Sequence, residues 1–258
     1  MDGTLVGPGG SLFSTSSGAS GRGAAAIAGL HEAAVEIVLV SGRTTDQMRE
    51  AARLVGASAY VAELGAFVVE RGEREEVTTN FGAFTGGGTP HHAMARSGAG
   101  AFLLDRYQGR LEPHTPWADQ RREATMLFRG LVDEEEANAA LTKARYDWVC
   151  LRDNGRIRRT FETLDVPQVH AYHLLPRGVS KASAVRIHRE RRGFRVHEAA
   201  AIGDSVSDLE MATEVGSMAM VGAESPSETT VGASIFATQG DGVDAFAEAI
   251  EMLLGKSR

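Results

Sequence analysis

Apolar runs alternate with amphipathic stretches along this chain, and the alternation predicts its elements. Residues 22–34 are alanine-rich and read as a helix. Val35-Glu36-Ile37-Val38-Leu39-Val40 is a short run of the kind buried in parallel sheets. Ser41-Gly42-Arg43 then turns the chain. Thr44 and Gln47 have capping-box spacing, so their side chains can satisfy the first free N–H groups of a second helix. Met48, Ala51, Ala52 and Val55 mark one face of that helix, and Gly56 ends it. Tyr60-Val61-Ala62 and Phe67-Val68-Val69 read as strands. Strand, helix, strand at this spacing is a βαβ unit, which implies a parallel sheet. The last third repeats the idiom. A helix from Ser180 to Arg192 stops at Gly193, and the strand Ala199–Ile202 leads into Gly203-Asp204-Ser205. A helix begins near Asp208, Ser217–Val221 form a strand, and Val243, Phe246, Ala247, Ile250, Leu253 and Leu254 stripe a closing helix.

The middle has a different rhythm. Residues 82–99 are glycine-rich and read as a boundary. Thr125–Phe128 read as a strand, and Asp133 caps a helix whose first turn carries Glu134–Glu136. Tyr146–Arg152 and Arg156–Thr160 flank Asp153-Asn154-Gly155, a hairpin signal. A hairpin beside a helix implies an antiparallel α+β insert between two halves of an α/β core.

Composition narrows the class without naming a function. The chain has 258 residues, 43% hydrophobic and 24% charged, which excludes wholesale disorder. Its net charge of −7 argues against nucleic acid as a partner, and RIHRERRGFR at 186–195 reads as a solvated helix face. No apolar run approaches the ~20 residues of a membrane span, and the start, MDGTLVGPGG, has no signal-peptide pattern. One cysteine, Cys150, excludes a disulfide framework and any zinc site built from cysteines. The expectation is a cytoplasmic protein with no membrane or nucleic-acid partner, its oligomeric state left open.

Candidate chemistry gathers at predicted strand ends and helix starts. Asp2-Gly3-Thr4-Leu5, Ser41-Gly42-Arg43, Lys181 and Gly203-Asp204-Ser205-Val206-Ser207-Asp208 all occupy such places. In an open parallel sheet, ligands collect beyond the strand C-termini, where these four pieces could converge. Clustered carboxylates suit Mg²⁺, while a serine, a glycine N–H and a lysine suit phosphate oxygens. His170 and His173 fall on opposite faces of a strand and His91-His92 on a loop, which argues against a histidine metal site. Arg152, Arg156, Arg158 and Arg159 read as a solvated hairpin, with a substrate carboxylate or second phosphate as the alternative.

In their order these pieces resemble the haloacid dehalogenase-like (HAD) superfamily, and within it the Cof-like type IIB phosphatases. Asp2-Gly3-Thr4-Leu5 matches the end of D-x-D-G-T-[LV], and Leu39–Arg43 matches the strand ending in S-G-R. Arg177-Gly178-Val179-Ser180-Lys181 is similar to K-G-x-x-K, and Gly203–Asp208 to G-D-x-x-N-D. The resemblance implies an α/β fold: a Rossmann-like parallel-sheet core (1–78 and 177–258) with an inserted α+β cap domain (79–176) that selects the substrate. It further implies a Mg²⁺-dependent phosphatase of small phosphorylated metabolites, such as a sugar phosphate or a phosphoglycolate-like acid. Asp2 is the implied acid–base, with Lys181 also in the catalytic set. Asp2, Asp204 and Asp208 are the metal residues. Thr4, Ser41, Gly42, Lys181 and Ser207 meet the phosphate, and Arg43 faces the substrate. Two departures stand out. Ser207 replaces the usual Asn, and the family's nucleophile, the first Asp of D-x-D, would precede Met1. The expectation is a start site placed too late, with an apolar strand and its Asp ahead of Met1, so that the 258-residue chain forms no aspartyl-phosphate. A phosphomutase or a non-catalytic phosphometabolite-binding protein are the alternatives.

Overall fold

Local signals lay down each element of the computed structural model, which describes residues 1, 3–7, 10–157, 159–222, 233–240 and 242–255. After a small β1–β2 pair (Ser14–Thr15, Gly18–Ala19) comes helix α1 (Arg22–Glu32). Strand β3 (Val38–Val40) follows, shorter than its apolar run because Ala34 turns left-handed at φ 53° and leaves Val35 exposed. Helix α2 (Thr45–Val55) opens on a capping box between Thr44 and Gln47 and closes on Gly56 at φ 67°. Strands β4 (Ala59–Ala62), β5 (Phe67–Arg71) and β6 (Glu75–Thr79) complete a sheet in the order β3-β4-β5-β6. Only β3 and β4 are parallel in it, since β5 and β6 fold back as antiparallel neighbours.

The middle segment carries helices α3 (Pro90–Ser97) and α4 (Ala99–Arg106), strands β7 (Leu111–Pro113) and β8 (Met126–Gly130), helix α5 (Glu134–Lys143), and strands β9 (Val149–Ile157) and β10 (Val169–Pro176). Half of the glycine-rich tract is therefore helical. Thr89 accepts from the His92 N–H and Pro90 takes the first helical position, start signals that the glycine count hides. The sheet β7-β8-β10-β9 is antiparallel and closes over its own apolar cluster, with Met94, Leu103, Leu141, Leu151, Tyr172 and Leu174 at its centre. The expected hairpin at Asp153-Asn154-Gly155 is corrected here. Those residues lie inside the single strand β9, where the register against β10 shifts between His170 and Tyr172. The same Asp-Asn-Gly chemistry that makes a turn makes a β-bulge when both flanks find one partner strand.

Helix α6 (Lys181–Arg192), strand β11 (Ala200–Gly203), helix α7 (Val206–Leu209), strands β12 (Ser217–Met220) and β13 (Ser234–Ala237), and helix α8 (Gly242–Leu253) finish the fold. β11-β12-β13 form an all-parallel sheet. Parallel pairing thus occurs in two pieces, with β3 and β11 each at an edge. One apolar cluster joins Leu39, Met48, Tyr60 and Phe67 to Ile27 and Leu30 of α1 and to Phe246 and Ile250 of α8. No helix among the described residues is long and apolar enough to cross a membrane.

Candidate active site

Strand ends deliver the polar groups. β11 ends in Gly203, and the loop after it is folded around Asp208. One oxygen of that carboxylate accepts from the N–H groups of Asp204 and Ser205, each at 3.2 Å, and from Ser205 Oγ at 2.7 Å. Its other oxygen takes Lys181 Nζ at 2.7 Å. Lys181 is the first residue of α6, whose capping box is Ser180 with Ser183, and its ammonium also donates to Ser207 Oγ at 2.9 Å. Burial raises the Asp208 carboxyl, but the Lys181 and Met1 ammonium groups outweigh it and bring it down to about 2. Asp208 is a carboxylate at any ordinary pH.

Asp204 is held differently. Thr4 Oγ1 donates to its Oδ1 at 2.7 Å across 200 positions of sequence. Gly3, at φ +79°, lies so close that a Cβ there would come within 2.1 Å of Asp204 Oδ2. Burial pushes this carboxyl above its ordinary value, against the hydrogen bond from Thr4 and the Met1 ammonium. Asp2 lies outside the described residues. Its neighbour Gly3 lies beside Asp204.

The Ser41-Gly42-Arg43 turn follows β3. Ser41 is buried, its Oγ accepts from the Arg43 N–H at 3.3 Å, and its carbonyl takes the Leu64 N–H at 3.1 Å. Glu63 N–H meanwhile donates to the Arg43 carbonyl at 2.9 Å. Of the residues singled out in the sequence, Thr4, Lys181, Asp204, Ser207 and Asp208 are joined by hydrogen bonds. Ser41 and Gly42 approach from the middle segment's side of the same region.

That segment supplies groups the sequence reading missed. The β9 bulge, with Gly155 at φ +104°, sends Asn154 downward, so that Ser207 Oγ donates to its Oδ1 at 3.3 Å. Asn154 Nδ2 and His173 Nε2 both crowd Gly42, standing 3.1 and 2.8 Å from where a Cβ would be. Arg122 Nη1 donates to the Gly42 carbonyl at 3.0 Å. The alternation rule separated His173 from His170 correctly, since His173 is 2% exposed while His170 pairs with Asp153 at 2.6 Å near the surface. What hid His173 is that burial of an apolar face and burial against a site look alike in sequence. Of the arginines placed on the hairpin, Arg152 pairs with Glu134 and Glu210, Arg156 and Arg159 are exposed, and Arg158 lies outside the described residues.

Burial, then neighbouring cations, hold His173 well below its ordinary 6.5, and His114 is brought down to about 4 by burial with Arg129 and Arg122. Both histidines are neutral when folded and take up protons near pH 6.5 when unfolded. Their contribution to stability is therefore complete above pH 6.5 and is lost as pH falls toward 4. Urea unfolding is expected to show a loss on the order of 1–2 kcal/mol from His114 between pH 7 and 4, discounted for its partial exposure. His114→Asn should flatten the pH dependence, and an unchanged slope would exclude this origin.

The sequence model of haloacid dehalogenase-like hydrolases matches residues 150–250. A phosphoglycolate phosphatase of Methanoculleus marisnigri is 27% identical over 222 residues, covering 86% of this chain and 83% of that protein. Among solved structures, a Synechocystis sucrose-phosphatase superposes with TM-score 0.64 at 16% identity, covering 97% of this chain and 95% of its own. A haloacid dehalogenase-like hydrolase from Bacteroides thetaiotaomicron gives TM-score 0.63 at 16% identity, covering 98% and 97%. These likenesses show a shared fold, and the motif order in this chain agrees with them.

Proposed function

We propose that this chain carries the site of a Mg²⁺-dependent phosphatase of small phosphorylated metabolites, of haloacid dehalogenase-like type and acting in the cytoplasm, with 1–78 and 177–258 as its core and 79–176 as its cap, and that it is inactive until an aspartate stands ahead of Met1. The observation that carries this reading is the continuous hydrogen-bonded set Thr4–Asp204–Asp208–Lys181–Ser207. Two carboxylates, an ammonium and a hydroxyl from three distant stretches share one network, as phosphoryl transfer requires.

The donors suit Mg²⁺. They are hard oxygens only, and Gly3 leaves Asp204 Oδ2 a cradle that any side chain would fill. Asp204 and the backbone carbonyl of Asp2 would hold the ion, and Asp208 fixes the loop between Asp204 and Lys181. When bound, Mg²⁺ supplies positive charge to the phosphoryl oxygens. Ser41, the Gly42 N–H and Lys181 take the remaining phosphate oxygens, with Arg43 toward the substrate. Thr4 spends its hydroxyl on Asp204, and so acts by orienting that carboxylate. With a nucleophilic aspartate placed ahead of Met1, that carboxylate would bond to phosphorus as the ester P–O bond breaks and Asp2 protonates the leaving alcohol. Asp2 would then take a proton from the water that attacks phosphorus and releases the aspartate. The phosphoglycolate phosphatase relative supports a small acid as substrate, and a sugar phosphate is the other class in view.

Calorimetric titration tests this reading. Mg²⁺ affinity should fall at least about tenfold in Asp204→Asn, and inorganic phosphate affinity in Mg²⁺ at least about tenfold in Lys181→Met, each a lost charge-assisted contact. Affinities unchanged in both variants would exclude the site.

A further inference from the structure

Two side chains with buried polar atoms that lack partners, Arg122 and His173, stand against Gly42. Among the described residues, side-chain atoms that are buried and unbonded include Arg122 Nε, His173 Nδ1 and His114 Nδ1. Arg122 is 7% and His173 2% exposed, yet Arg122 makes no ion pair among the described residues. Its Nη1 is spent on the Gly42 carbonyl and on Thr125 Oγ1 at 3.1 Å. Glu63 stands near enough to act on Arg122, but its two oxygens accept the N–H groups of Glu123, Ala124 and Thr125 and the Thr125 hydroxyl. A guanidinium kept from water without a carboxylate in contact is costly, and a planar fork is the usual reader of one.

We infer that Arg122 and His173 form a subsite for a carboxylate carried by the substrate a few bonds from its phosphate. This rests on the phosphatase reading and narrows it to phosphorylated short-chain hydroxy acids. Placement sets the distance: both side chains meet Gly42, the residue whose N–H faces phosphate in that reading, so the second group must leave the phosphorus on a short tether. Charge sets the class. Lys181 is neutralised by Asp208, and the two histidines are neutral, so of Arg122 and His173, the two side chains placed on Gly42, Arg122 carries the charge. One positive charge matches one carboxylate, whereas a second phosphate would bring nearly twice that charge. The exposed Arg156, and Arg152 with its two glutamate partners, have no part in it.

The test compares ligands that differ only in the second group. Calorimetry with the full chain in Mg²⁺ should show 2-phosphoglycolate binding at least about tenfold tighter than ethyl phosphate. Arg122→Gln should remove that preference, read as the ratio of the two affinities in the variant. Arg122→Lys should keep part of it, because charge survives without the fork. Since Arg122 also touches the Gly42 turn, His173→Gln serves as an independent variant and should cut the preference with Arg122 in place. Equal affinities for both ligands in the unmodified chain would overturn the subsite and leave the phosphate reading standing. Failure of inorganic phosphate and both esters to bind would overturn both.

Discussion

An aspartate placed directly ahead of Met1, at the end of a short apolar strand, is expected to raise hydrolysis of an aryl phosphate by at least about 10³-fold over the 258-residue chain. Losing a nucleophile alone removes orders of magnitude of rate, while positioning groups leave residual catalysis. The Met1 ammonium stands near enough to Asp204 and Asp208 to act on both, so a residue added ahead of it would start near those carboxylates. A place for the strand is visible as well. β3 and β11 are each at a sheet edge, and Val40 and Ala201 nevertheless pack on the same apolar cluster. A strand between them would pair backbone groups on both sides, so the extended chain should also melt higher. Variants ending in Asp-Val or Asp-Met before Asp2 should behave alike. Equal turnover by the extended and the 258-residue chains would exclude a nucleophile at this position.

Glu63→Ala is expected to cost about 3–5 kcal/mol of stability, read from urea unfolding at neutral pH. Glu63 is 1% exposed, and its carboxylate accepts N–H groups from Glu123 at 2.9 Å, Ala124 at 3.0 Å and Thr125 at 2.9 Å, with the Thr125 hydroxyl at 2.8 Å. Truncation strands those donors where the stretch 123–125 meets Glu63, at about 1–3 kcal/mol each before relaxation and water entry. Glu63 and Leu64 stand at φ 48° and 58°, a conformation that side chains tolerate only when their surroundings impose it. The same two residues return their N–H groups to Arg43 and Ser41, so losing the carboxylate should loosen the Ser41-Gly42-Arg43 turn too. Amide exchange at 123–125 should accelerate in the variant. A cost below about 1 kcal/mol, with exchange unchanged, would show that these bonds are replaced by water.

Most of what is fixed locally in this molecule was readable from sequence, the Thr89–Pro90 start of α3 excepted. The Thr44–Gln47 box, the glycine stops at 56 and 193, the Asp133 cap and the Ser180 start each depend on residues within one or two turns. Ser41-Gly42 and Gly203-Asp204 were legible for the same reason, as turns after apolar runs. The β9 bulge was not, because Asp153-Asn154-Gly155 is compatible with a turn or a bulge, and only pairing with β10 decides. Glu63 was missed because a carboxylate in a loop reads as solvated until its partners arrive from 60 residues away. Arg122 and His173 were missed likewise. Their surroundings are assembled by the closure of one segment on another, and no spacing along the chain records that.

The segment leaves and returns through a single doorway. The Ala83 N–H donates to the Arg177 carbonyl at 2.7 Å, and Gly82 and Gly178 flank that bond in left-handed conformations. A Cβ on Gly82 would fall 2.0 Å from the same carbonyl. Entry and exit therefore stand as close as the two legs of a hairpin, and the core closes its own chain path whatever hangs between them. Evolution can lengthen, trade or delete everything in between at little loop-closure cost, since closure entropy grows only with the logarithm of length. For an engineer, 83 and 177 are the splice points at which another protein's lid could be grafted, provided it again covers the surface beneath Ala124 and Cys150.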